Sequence, residues 1–152
     1  MGTTKIIVAD DHPVVRQGLR RLLEAEPDFV IVGEVTNGLE VADLVERLQP
    51  EVLILDLVMP GLSGLAVLPK LQRASPDTHV LVFSMYAYES YVIEALRLGA
   101  TGYVLKDSGA EEIIRAVREV SAGKRYLGAP LTDRAIDAYI SKSKQDLSLI
   151  HI

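Results

Sequence analysis

Five side chains in this sequence have the types and placement to hold or transfer a charged group: Asp10, Asp11, Asp56, Ser84 and Lys106. Each closes a short apolar run. Ile6-Ile7-Val8-Ala9 leads into the acidic pair, and Val52-Leu53-Ile54-Leu55 into Asp56. Val80-Leu81-Val82-Phe83 leads into Ser84, and Gly102-Tyr103-Val104-Leu105 into Lys106. A carboxylate without partners in an apolar setting is costly. Asp56 is therefore expected at the carboxyl end of a buried strand, where parallel sheets open into a ligand crevice. Three carboxylates gathered there repel one another unless a cation joins them. An all-oxygen ligand set, with neither His nor Cys, favours a hard cation, and Mg²⁺ keeps several waters while taking one or two carboxylates. Lys106 adds a compact positive charge and Ser84 a hydroxyl. The set suits a phosphoryl group, whose transfer depends on positioning and charge neutralisation more than on acid–base work.

The elements that must position these residues alternate. Strands are expected at Lys5–Ala9, Phe29–Val35, Val52–Leu55, His79–Ser84 and Gly102–Leu105. Each is followed by apolar residues at helical spacing: Val15, Leu19, Leu22 and Leu23; Val41, Leu44, Val45 and Leu48; Leu65, Leu68 and Leu71; Tyr91 to Leu98; and Ile113, Ile114, Val117 and Val120. Pro13 suits a first helical turn and Gly123 a helix stop. Pro69 is expected within or just past the first turn of the third helix, as a source of a kink. Five strand–helix units with short links imply an α/β domain, a parallel sheet covered by helices on both faces. If the first, third, fourth and fifth strands are neighbours, the five polar residues meet in one crevice.

Composition bounds the function. The chain has 152 residues, 49% of them apolar, enough for one domain with a real core. A formal net charge of −5 argues against nucleic-acid binding by this segment. The absence of Cys excludes disulfides and thiolate chemistry and favours a cytoplasmic setting. No apolar run approaches the ~18 residues of a membrane span, and no signal peptide is expected.

With these residues in place, the sequence resembles the receiver domain of two-component response regulators. The resemblance covers residues 5 to about 123. It rests on Asp10-Asp11, the Asp56 that closes Leu53-Ile54-Leu55, Met59-Pro60-Gly61, Ser84, Tyr103 and Lys106 in one register. Asp10-Asp11-His12-Pro13, Gly99-Ala100-Thr101-Gly102-Tyr103 and Leu105-Lys106-Asp107 are similar to the NarL/FixJ branch, whose members carry a LuxR-type DNA-binding output domain. The resemblance implies a flavodoxin-like (βα)5 fold with strand order 2-1-3-4-5. It implies that Asp56 is the phosphorylation site, fed by a sensor histidine kinase. Asp11 would bind Mg²⁺ directly, Asp10 through water or as support, and Asp56 and the Val58 backbone carbonyl would complete the metal site. Lys106 would pair with Asp56 and then with the phosphoryl oxygens. Ser84 would draw its loop inward, and Tyr103 would be the aromatic switch. A homodimer on phosphorylation is implied, through the fourth and fifth or the first and fifth helices. Asp107 departs from the family, many of whose members have a proline there after a cis bond; before a non-proline that bond costs ~2.5–4 kcal/mol.

Residues 1–125 are thus expected to form the receiver, 126–144 a linker helix with Ile136, Tyr139 and Ile140 on one face, and 145–152 a tail of vector origin or a natural end. Residues 129–152 are too few for a helix-turn-helix domain, so DNA contact is expected only through a domain missing from this chain. Two other functions are weighed beside this one. A stand-alone receiver would act by protein–protein contact alone. A Mg²⁺-dependent aspartyl phosphatase would need a second acid two residues past the nucleophile, where Val58 stands. The chain is therefore expected to be a phosphoacceptor and not an enzyme. Plain structural roles are also weighed: Tyr103 as core, His12 as a solvent-facing residue at a helix start, and Tyr86, Tyr88 and Tyr91 as loop packing.

Overall fold

The computed structural model describes residues 2–128. Strands β1 (Thr4–Ala9), β2 (Phe29–Val35), β3 (Val52–Leu55), β4 (His79–Ser84), β5 (Gly102–Leu105) and β6 (Tyr126–Leu127) alternate with helices α1 (Pro13–Glu24), α2 (Gly38–Leu48), α3 (Gly64–Ala74), α4 (Glu89–Arg97) and α5 (Ala110–Ser121). The sheet order is β2-β1-β3-β4-β5-β6 and every pairing is parallel. The expected order 2-1-3-4-5 is present, with the flavodoxin-like topology. The sheet does not stop there: Tyr126 and Leu127, expected to begin the linker, pair with Gly102 and Tyr103 instead. The Gly128 N–H donates to the Tyr103 carbonyl at 3.0 Å and extends that pairing. The rest of the expected linker helix and the tail lie outside the described residues.

Alternation along the strands builds two cores. Ile7, Ala9, Leu53, Leu55, Val80 and Val82 face α2, α3 and α4. Ile6, Val8, Val52, Ile54, Leu81 and Phe83 face α1 and α5. Both faces of β3 are buried, which is why its sequence reads as an unbroken apolar run. Helix α3 continues through Pro69. Pro69 lies just past its first turn, as expected, and forfeits the backbone bond to the Leu65 carbonyl. Burial of Val67, Leu68 and Leu71 holds the helix to Ala74 regardless. Among the described residues, no helix is long and apolar enough to cross a membrane.

Tight backbone packing fixes the loop that follows β3. The Gly38 N–H donates to the Pro60 carbonyl at 2.9 Å, and a Cβ at Gly38 would come within 1.7 Å of the Leu62 carbonyl oxygen. The Gly61 backbone is left-handed (φ 87°), and a Cβ there would meet the Asn37 carboxamide oxygen at 2.0 Å. Asn37 Oδ1 is itself engaged, accepting from the Leu39 N–H at the start of α2. The loop is thus locked to the N-terminus of α2. Gly38→Ala is expected to lower stability by about 1–3 kcal/mol, the scale of overpacking a rigid contact. Urea unfolding would register this as a fall in midpoint without a change in slope.

Candidate functional site

Register alone brings the predicted residues together. Ala9 pairs with Leu55, Leu55 with Val82, and Ser84 with Leu105, so the residues that follow share one end of the sheet. The Asp56 N–H donates to the Ala9 carbonyl at 2.9 Å, which seats Asp56 beside Asp10. The Lys106 N–H donates to the Ser84 carbonyl at 2.8 Å, which carries the lysine off β5 toward the acids.

Asp10 and Asp56 are almost fully buried, and their charges converge on Lys106. Its ammonium lies 2.8 Å from Asp10 Oδ2 and donates to Asp56 Oδ2 at 3.1 Å. The other Asp56 oxygen accepts the Val58 N–H at 3.1 Å. Burial raises the Asp56 carboxyl above the ordinary aspartate range, opposed by the Val58 N–H and by Lys106. Burial alone would depress the Lys106 ammonium. Its hydrogen bonds to Asp10 and Asp56 outweigh that and hold it above the usual lysine value.

The remaining buried polar residues mark the contrast. At the amino end of the sheet, the Ser75 and Thr78 hydroxyls share a 2.6 Å bond. Thr78 donates to the Pro50 carbonyl at 2.7 Å, and the one Ser75 proton is shared between Thr78 Oγ1 and Gln49 Oε1, 3.0 Å away. That cluster is satisfied. At the carboxyl end, Asp10 Oδ2 has no hydrogen-bond partner beyond the Lys106 contact, and the buried Asp11 Oδ1 has none. Ligand atoms of Asp10, Asp11, His12 and Asp56 all lie within 4.8 Å of one another. Three carboxylates served by one lysine leave negative charge over, and the cluster fits a metal ion. Of the acids expected to bind a cation, Asp11 keeps an oxygen without a donor, while those of Asp10 and Asp56 are held by Lys106 and by backbone N–H groups.

His12 stands at the start of α1 and is solvent-exposed, as expected. Its ring is half exposed, but Nδ1 turns into the site, 2.9 Å from Asp10 Oδ1 and 3.8 Å from Asp56 Oδ2. Ser84 is fully buried at the end of β4, where its Oγ accepts the Tyr86 N–H at 3.0 Å. Tyr103 is fully buried too, and its hydroxyl donates to the Tyr86 carbonyl at 2.7 Å. Burial pushes the Tyr103 phenol up, against the opposing pull of the Ser84 hydroxyl. Tyr103 is thus core and loop anchor at once. Tyr86, Tyr88 and Tyr91 pack ring against ring at 5.8–6.0 Å and stay exposed beside the site. Lys106 and Asp107 form a turn closed by the Ser108 N–H on the Leu105 carbonyl at 3.0 Å.

Known proteins are similar in sequence and in fold. A family model described as the response regulator receiver domain matches residues 6–118. The nitrate/nitrite response regulator protein NarL of Escherichia coli K12 is 41% identical over 127 residues, covering 84% of this chain and 59% of NarL. The oxygen regulatory protein NreC of Staphylococcus carnosus is 40% identical over 143 residues, covering 93% of this chain and 66% of NreC. This chain thus spans three-fifths to two-thirds of the length of these curated relatives. Among solved structures, a two-component response regulator of the LuxR family from Aurantimonas sp. SI85-9A1 superposes with a TM-score of 0.80. It is 30% identical, over 94% of this chain and 99% of that one.

The raised Asp56 value has a stability consequence. A folded-state value above the unfolded one means that the folded protein holds the proton more tightly. Stability contributed by the neutral carboxyl is therefore full below the ordinary aspartate value of 3.8 and is lost as pH rises through the folded value. Asp56→Asn is expected to be more stable than the parent at neutral pH without divalent cations. Urea midpoints in chelator, taken from neutral pH downward, should converge below the ordinary aspartate value.

Proposed function

This chain belongs to the response regulator receiver domain family, and from that membership we propose that Asp56 accepts a phosphoryl group from a phosphohistidine on a sensor histidine kinase. One observation carries the reading: a nearly buried aspartate paired with a lysine at 3.1 Å, at the strand end where two further acids gather. An Asp56 carboxylate oxygen attacks phosphorus, the phosphorus–nitrogen bond breaks, and the imidazole leaves with the electron pair and takes up a proton. The product is an acyl phosphate. Lys106 stays with the transferred oxygens and offsets their charge. Asp10, Asp11, Asp56 and the Val58 carbonyl would hold Mg²⁺, which supplies charge neutralisation to the phosphoryl oxygens.

Phosphorylation adds roughly −1.5 to −2 charge and three acceptor oxygens. Ser84 has its O–H to donate to them, and an Oγ that swings toward the phosphoryl group to do so gives up the Tyr86 N–H it now accepts. That frees one of the two bonds fixing Tyr86, and the other belongs to Tyr103. The loop between β4 and α4 is then the bistable element on which the new charge acts. Val58, two residues past Asp56, has no group to shuttle a proton, so the acyl phosphate persists and the chain acts as a switch and not as an enzyme. In the cytoplasm its output is a phosphorylation-dependent homodimer and, through a helix-turn-helix domain outside this chain, control of transcription.

Incubation with a divalent cation and a small acyl-phosphate donor is expected to add one phosphoryl mass, absent in Asp56→Ala. Turnover of phosphomonoesters with no adduct would sink the proposal. Lys106→Ala is expected to keep cation binding but to lose the phosphorylation-dependent change in oligomeric state by light scattering. A variant that still shifts would show that Lys106 has been given the wrong role.

A further inference from the structure

Strand β1 outlasts its neighbour. The Asp10 N–H still donates to the Val35 carbonyl at 3.0 Å, but β2 ends at Val35 and Asn37 already caps α2. The Asp10 carbonyl that follows has no strand donor. Asp10 is 1% exposed, and a buried carbonyl without a donor is costly. A side chain takes the place of the missing strand: the Arg16 guanidinium, from the first turns of α1, donates to the Asp10 carbonyl at 2.9 Å.

That guanidinium is held from behind. Arg16 Nε lies 3.8 Å from Glu34 Oε1 on β2, and the other Glu34 oxygen pairs with Arg20. Arg20 Nε lies 3.0 Å from Glu24 Oε1. Arg16, Arg20 and Glu24 stand four residues apart and share one face of α1. Exposure falls along this series toward the site, from 46% at Glu24 and Arg20 to 20% at Arg16. Exposed ion pairs are screened and contribute little. The outer pairs therefore orient Arg16, and the inner contact carries the weight.

The Asp10 carbonyl belongs to the peptide plane that joins Asp10 to Asp11, and such a plane moves as one piece. The Asp10 carboxylate is fixed by the His12 N–H and by Lys106. Asp11 lacks that restraint: its buried Oδ1 takes no hydrogen bond, so the aim of its carboxylate rests on its backbone. We infer that Arg16 is a positioning residue of the phosphoacceptor site, which fixes the peptide from which Asp11 is presented. Its guanidinium pairs with no carboxylate of the site and acts through the backbone alone. The inference rests on the proposed function and adds to it a residue outside the converging polar set.

Three variants of the full chain separate aim from stability. Mg²⁺ is titrated into each and followed by backbone amide shifts at the site, and urea midpoints are taken in chelator. Arg16→Met keeps a helix-forming stem and removes the donors. Its Mg²⁺ dissociation constant is expected to rise by roughly ten-fold or more, the scale on which partners behind metal ligands act. Arg16→Lys supplies the one donor the carbonyl needs, though not the fork toward Glu34, and is expected to recover most of that affinity. Arg20→Met breaks exposed ion pairs and is expected to bind Mg²⁺ as the parent does, whatever its urea midpoint. Unchanged affinity in Arg16→Met, an equal loss in Arg20→Met, or a loss in Arg16→Lys as deep as that in Arg16→Met overturns the inference and leaves the role of Asp56 standing. A parent that binds no Mg²⁺ also overturns it. A parent that binds Mg²⁺ but takes no phosphoryl adduct sinks the proposed function, while the titrations still decide the role of Arg16.

Discussion

One ammonium shared between two buried carboxylates is the interaction on which the rest of this site depends. Asp10 and Asp56 lie side by side because the first and third strands are neighbours in register. Without Lys106 their charges would face each other out of water, at a cost that grows as the local dielectric falls. With it, the pair is tolerated but not neutralised. The protein carries a standing deficit of positive charge at one end of its sheet. That deficit gives a cation reason to bind, as the proposed function requires.

The scaffold is arranged to keep that imbalance from relaxing. Six parallel strands, cores on both faces, and a loop after β3 clamped to the start of α2 leave the acids little freedom to move apart. Polar groups at the opposite end of the sheet are bonded to one another, so nothing there competes for charge. Rigidity on three strands contrasts with the fourth, where Ser84 holds its loop by hydrogen bonds and not by buried apolar mass. Under the proposed function, this is the one yielding partner among fixed ones.

Much of this was legible in the residues because the two signals coincide. An apolar run names a buried strand, and a polar residue that closes it names the strand's end. Asp56, Ser84 and Lys106 could be placed in one crevice before any coordinates, given the sheet order. What the sequence hid was of a different kind. Tyr126 and Leu127 are too few for a period to show, and their pairing depends on the backbone of β5, not on their own side chains. Helix α3 overrides the local penalty of Pro69 through contacts distant in sequence. His12 needed a rotamer, which no pattern of residue types encodes, although the following Pro13 was the available clue to its backbone. Tyr103 was readable as core or as switch, and it is both a core ring and a tethered hydroxyl.

Tyr86 shows how few bonds fix the loop between β4 and α4. Its N–H is held from β4 and its carbonyl from β5, so the peptide planes on both sides of one residue are fixed. A peptide plane is rigid, and a residue has only two soft torsions. Both torsions of Tyr86 are therefore set by side chains from two different strands. Loss of either anchor leaves one of those torsions unheld. The surface ring that stacks on Tyr88 and tilts against Tyr91 thus belongs to a residue whose backbone is pinned from two buried strand residues.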